Sequence, residues 1–203
     1  LENEILDNHK RYLSRKKMYR NFGFDIDKER KSVLKKVMPV SGRILEVGTG
    51  KGHFTLALAR KGYRFTSVDI SEEEQRIARL NLRYFGLEDL VDFRLEDAEN
   101  LSFKDAAFDF VLSVNTVHHF KNPFKVIDEL ARVLNLKGRL ALSDFNKEGL
   151  GVLDKVHLSE GRVHKTAGFS LDDVGAYLEQ KAFNTERQAG RFQDVLTAYR
   201  RIG

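Results

Sequence analysis

The sequence contains no cysteine, no tryptophan, only two prolines and only two methionines among its 203 residues. Without cysteine there is no disulfide, no thiol chemistry and no cysteine-ligated zinc. Long apolar runs are also missing. None approaches the roughly 18 to 20 residues that a membrane span requires, and no secretory signal pattern is visible. The expectation from these absences is a cytoplasmic protein. The first residue is Leu1 rather than Met, as expected of a processed or truncated start. Internal repeats, low-complexity tracts and a linker long enough to split the chain are absent as well, which leaves a single domain of ordinary size with room for a core.

What is present is a balanced globular composition, 41% hydrophobic and 32% charged,. The net charge of +5 is unevenly spread, because residues 1–43 hold 12 Lys/Arg against 6 Asp/Glu. A basic arm of this kind suits phosphate groups. It equally suits the solvated face of a helix.

The pattern along the chain alternates between strand and helix periods. Helices are expected over 3–22, closed by Gly23, and over 26–37, closed by Pro39 and Gly42. Ile44, Leu45 and Val47 read as a short buried strand of a parallel sheet. Phe54, Leu56, Ala57 and Leu58 read as the helix behind it. Between them stand Gly48, Gly50 and Gly52, a turn that lets a nucleotide-like ligand approach the main chain at the end of a first strand. Strands follow at 64–69, 91–95, 108–114 and 140–145. Ser71 with Glu74 is expected to form a capping box, and Gly86 to end that helix. Asn122 and Pro123 are expected as N-cap and first residue of a helix stopped by Gly138. Residues 146–169 read as an irregular lid. Ser170 with Asp173 caps a helix over 171–181, and a hairpin turns at Ala189-Gly190. The fold class is α/β: Rossmann-like, doubly wound, a mostly parallel seven-stranded sheet with an antiparallel edge strand.

Three chemistries compete for the glycine turn. A P-loop needs a hydroxyl after its lysine to hold magnesium, and Gly52 follows Lys51. A dinucleotide site needs a third glycine where His53 stands. What remains is Glu46-Val47-Gly48-Thr49-Gly50-Lys51-Gly52, an acid followed by alternate glycines. This stretch resembles motif I of the class I S-adenosylmethionine-dependent methyltransferases, and the likeness continues over roughly residues 40–150. The run 108–120, with Arg132-Val133-Leu134 and Lys137-Gly138-Arg139-Leu140, is similar to the small-molecule branch that includes the ubiquinone and menaquinone methylases. Asn135-Leu136-Lys137-Gly138 departs from that branch, which has a proline before a glycine pair.

The resemblance implies S-adenosylmethionine as cofactor, with S-adenosylhomocysteine as product. It implies cofactor contacts from Glu46, Gly48, Thr49, Gly50, Gly52, Asp69, Ile70, Asp97, Ala98 and Asn115. Asp69 occupies the place of the ribose-binding acid, Asp97-Ala98 that of the adenine clamp, and Asn115 that of a contact to the methionine portion. The single domain then divides into a helical arm or lid (1–40), a cofactor-binding core (41–145), and a lid loop, helix and hairpin (146–203). Methyl transfer asks the protein mainly to position its reactants and to keep a nucleophile lone pair free. His118 and His119, after the fourth strand, are the candidate bases, with Asp144 a further candidate on the same rim. Tyr12 and Tyr19 share a helix face and suit either an aromatic cover or core packing. His157 and His164 lie in the expected lid, and no metal site is expected of them. Asn122-Pro123-Phe124 reads as a helix cap rather than a nucleic-acid methylase motif. The acceptor is expected to be a small molecule. An RNA acceptor met by the basic arm, or a non-catalytic cofactor-binding module, are the alternatives.

Overall fold

The computed structural model describes residues 1–161 and 168–201. Seven strands, β1 (Ile44–Val47), β2 (Phe65–Asp69), β3 (Val91–Leu95), β4 (Phe108–Val114), β5 (Leu134–Phe145), β6 (Phe183–Gln188) and β7 (Gln193–Arg200), form one sheet in the order β3-β2-β1-β4-β5-β7-β6. The first five are parallel, and β7 runs antiparallel to both neighbours. The antiparallel strand is thus second from the edge, and β6 is the edge strand.

Alternation along the strands divides the apolar residues between two faces. Ile44, Phe65, Phe110 and Leu112 pack with α2 (Ile26–Val37), α3 (His53–Ala59) and α4 (Glu72–Tyr84). Leu45, Val47, Val111 and Leu142 pack with α5 (Pro123–Val133) and α7 (Leu171–Gln180). A third apolar cluster joins α1 (Glu2–Asn21) to α6 (Lys147–Ser159) through Tyr19, Phe24, Ile26, Leu153 and Val156.

Most local expectations hold, and four change. Residues 147–159 of the expected irregular lid form a helix, α6, started by the Asn146 side chain accepting from Gly149 N at 3.1 Å. Its glycines did not prevent helix formation because Val152, Leu153 and Val156 bury one face,. Gly138 does not stop α5. The helix ends at Val133, and Gly138 lies inside β5, where a Cβ would stand 2.9 Å from the Asp109 carbonyl. The β4–β5 register shifts between Phe108 and Phe110, so residues 135–138 bulge there,. At Ser71 only half of the expected box forms. The hydroxyl accepts from Glu74 N at 3.2 Å, while the Glu74 carboxylate faces Lys51 at 3.8 Å. Asn122 stands at the N-cap of α5 without capping it, because its amide donates to both oxygens of Glu99 at 3.0 and 2.9 Å. The reciprocal box does form at Ser170 and Asp173.

Candidate active site

The carboxyl ends of β1, β2 and β4 open into a cavity of about 830 Å³, covered by α1, α2 and α6. Gly48, Thr49, Gly50, Asp69, Ile70, Asp97, Ala98, Asn115, His118 and His119 all line it. Glu46 and Gly52, also read as cofactor contacts, do not line it.

Gly52 is the N-cap of α3 at φ 76°, and a Cβ there would stand 2.8 Å from that of Ala78. Glu46 lies beneath the cavity floor, 1% exposed. One of its carboxylate oxygens accepts from Thr55 and Ser67, both at 2.7 Å. Ser67 spends its proton on Glu46, so it accepts from Thr49 across a further 2.7 Å. Burial pushes the Glu46 carboxyl up to about 7, the two hydroxyls opposing that rise,. Glu46 therefore reaches the glycine turn through a chain of hydroxyls that ends at Thr49.

Asp69 closes the other side of the turn. One oxygen accepts from Gly50 N at 2.7 Å and the other from Ser71 N at 2.9 Å. Both bonds fix the carboxylate while leaving further lone pairs for a ligand. A Cβ on Gly50 would meet only Glu74, at 4.0 Å, so the main chain here borders open cavity. Asp97 accepts from Glu99 N at 2.9 Å, a turn bond that orients its carboxylate at the far end. Ile70 is 69% exposed beside Asp69, an apolar side chain kept out of the core.

The same cavity also holds a residue absent from the sequence expectations. Arg30 of α2 reaches the cavity and donates to Gln193 at 3.1 Å. With its amide oxygen turned toward Arg30, Asn115 accepts from both terminal guanidinium nitrogens at 2.8 Å. Burial lowers the Arg30 pKa to about 10, so the group stays cationic at neutral pH,. Its Nε is buried and has no partner among the described residues. The signal for Arg30 was hidden in a helix crowded with surface cations. Asn115 itself sits at φ 59°, a left-handed conformation that asparagine tolerates,.

The remaining rim carries the histidines. His118 Nδ1 stands 2.6 Å from one oxygen of Asp144, and the other oxygen accepts from His118 N at 2.8 Å. Phe145 N donates to the same carboxylate at 2.8 Å. Asp144 thereby assigns the Nδ1 proton to its own side of the ring. Around this pair the lining is apolar, from Tyr19, Phe24, Ile26, Phe145 and Leu153. His119 packs 4.0 Å from His118, ring centre to ring centre, and His157 of α6 also lines the cavity. His164 lies outside the described residues. Of the two tyrosines, Tyr19 joins the lining, whereas Tyr12 stacks on His53 at 5.3 Å and is buried. Among the described residues no group of three or more His, Asp or Glu is placed to hold a metal.

A family model described as a methyltransferase domain matches residues 45–142. The phosphatidylethanolamine N-methyltransferase of Cereibacter sphaeroides is 31% identical over 152 residues, 75% of this chain and 74% of that protein. The chain belongs to the S-adenosylmethionine-dependent methyltransferases. The methyltransferase GfsG of Streptomyces halstedii is 35% identical over 138 residues, 66% of this chain and 49% of that protein. The chain thus spans about half the length of that relative. A SAM-dependent methyltransferase from Aquifex aeolicus has the same fold, with a TM-score of 0.64 at 23% identity over 83% of this chain and 88% of that one.

The lining fits the cofactor of this methyltransferase family. A fixed carboxylate at Asp69 matches a ribose diol, an unhindered main chain at Gly50 admits close approach, and the Arg30 Nε, without a partner among the described residues, offers a donor to a carboxylate,. No helix among the described residues is long and apolar enough to cross a membrane.

Proposed function

We propose that this methyltransferase methylates an oxygen or nitrogen of a small, largely apolar acceptor, with His118 as general base. In this reading Asp69 holds the ribose hydroxyls, Ile70, Asp97 and Ala98 hold the adenine, and Arg30 with Asn115 holds the amino-acid end. Gly48, Thr49 and Gly50 let the ligand lie against the main chain. Glu46 and Gly52 act from outside the cavity, by setting the shape of the turn. When bound, the cofactor supplies an electrophilic methyl group.

The observation that carries the reading is the 2.6 Å contact between His118 and Asp144 on the rim of the same cavity. With the Nδ1 proton held by Asp144, Nε2 keeps a lone pair and takes the proton of an acceptor hydroxyl or ammonium. The Asp144 carboxylate then stabilises the imidazolium. The apolar wall excludes water and strengthens that interaction. His119 shapes the ring's environment and is a secondary candidate for the same task.

The test is a labelled-methyl transfer assay on extract fractionated into RNA, protein and small molecules, combined with calorimetry. Label in the small-molecule fraction, lost on His118→Ala while cofactor binding persists, supports the proposal. Label in RNA alone would transfer the reaction to the basic arm. Cofactor binding with no label in any fraction would reduce the chain to a binding module.

A further inference from the structure

Apart from Arg15 and Arg30, which line the cavity, the cations of the N-terminal arm are not used by it. Successive positions Leu6, Lys10, Leu13, Lys17 and Arg20 fall on one face of α1, spaced three or four apart, and all five are exposed,. Leu6 and Leu13 are 46% and 49% exposed. The opposite face buries Asn8, Tyr12 and Tyr19. On α2 a second outward row holds Lys28, Lys31 and Lys35, again all exposed. Lys10 pairs with Asp7 at 2.9 Å and Arg20 with Asp25 at 3.1 Å. Lys17, Lys28, Lys31 and Lys35 form no ion pair among the described residues.

Two kinds of polyanion suit such a face, and the apolar residues choose between them. Single-stranded nucleic acid is gripped by aromatic side chains set among cations. Here both inner-face tyrosines of α1, Tyr12 and Tyr19, are turned inward, and the outward apolar residues are leucines. Leucines alternating with lysines on a helix surface match the interface of a bilayer, where aliphatic groups enter the headgroup layer and cations meet lipid phosphate. The helix is also well placed. Arg15 and Tyr19, on its inner face, line the cavity, and Arg15 bridges to Glu160 beyond α6 at 3.3 Å. One helix diameter, about 10 Å, therefore separates the outward row from the apolar end of the cavity.

We infer that the outward face of α1 and α2 docks on an anionic phospholipid surface, placing the acceptor end of the cavity at the headgroup layer. Binding is peripheral and reversible, because two leucines and a set of exposed lysines make a weak, salt-screened anchor.

The experiment is co-sedimentation of the full chain with vesicles of phosphatidylcholine alone and of an equimolar mixture with phosphatidylglycerol, at about 0.1 M and about 0.5 M salt. The expected result is binding to the anionic vesicles only, weakened at the higher salt. Lys17→Glu with Lys31→Glu lowers partitioning by roughly tenfold or more. Leu6→Ser with Leu13→Ser, which keeps the charge, lowers it by a similar factor of roughly ten. Circular dichroism melts matching the unsubstituted protein establish that both variants are folded. The inference is overturned by failure to bind anionic vesicles at the lower salt, or by folded variants that bind as well as the parent. It is overturned too if bulk RNA binds in place of vesicles and the leucine variant binds it unchanged.

Discussion

Replacing Asp69 by Ala removes the carboxylate that holds Gly50 N and Ser71 N, and with it the group proposed above to hold the ribose. Hydrogen bonds to a charged group are worth about 1.5–3 kcal/mol each. Calorimetry on Asp69→Ala should therefore show S-adenosylhomocysteine binding weakened by at least about tenfold, while Asp97→Ala weakens it less. His118→Ala should behave in the opposite way, with cofactor affinity kept and kcat lowered about 10²- to 10⁴-fold, the usual contribution of a general base. Equal loss of affinity in both variants would remove His118 from the acceptor side. At this scale the sequence was informative where a residue's place in the cavity is set by its neighbours in the chain. Asp69 ends β2, Asp97 follows β3 by two residues, and both line the cavity. It was uninformative where that place depends on burial. Glu46 was read as a contact and lies under the floor, and Arg30 looked like one more surface cation until α2 turned it inward.

Elements were legible wherever a period and a cap agreed. Strands β1, β3 and β4 fall on the residues their apolar patterns mark, and α7 begins where Ser170 and Asp173 exchange hydrogen bonds. Ser170→Ala removes an acceptor at 3.3 Å from Asp173 N and a donor at 2.7 Å to its carboxylate. Loss of an N-cap side chain costs about 1 kcal/mol. A urea titration should show a correspondingly lower midpoint with an unchanged slope, because α7 packs against β6 and β7 as part of one core,. The helix α6 was missed for a physical reason. Its own glycines at 149 and 151 lower its propensity, and it is held by apolar contacts with α1 and α2 that no local pattern displays,. Gly149 is even required by this packing, since a Cβ there would stand 2.1 Å from the Phe192 carbonyl oxygen.

For the whole molecule, two buried titratable groups on either side of the glycine turn pull stability in opposite directions with pH. Glu46 rises from 4.5 to about 7, chiefly through burial. The folded chain therefore keeps a proton that the unfolded chain releases. That contribution is complete below pH 4.5 and is lost as the pH climbs to about 7,. His53 falls from 6.5 to about 3, through burial and then the charges of Arg30, Arg15 and Lys51. The folded chain refuses a proton that the unfolded chain takes up, so this contribution stands above pH 6.5 and is lost as the pH falls toward 3,. Between pH 4.5 and 6.5 the two slopes oppose each other and flatten the profile. Glu46→Gln keeps the shape of the side chain and removes one of the two slopes. Relative to the unsubstituted protein, the variant should gain stability steadily as the pH rises from 4.5 to about 7. The rise in the Glu46 pKa corresponds to about 3 kcal/mol, which sets the scale of that gain. Urea midpoints of both proteins, measured without cofactor at pH 5 and pH 8, read the difference directly. A difference that does not change with pH would mean that Glu46 is ionised throughout, with the hydroxyls of Thr55 and Ser67 stabilising its charge more than burial opposes it.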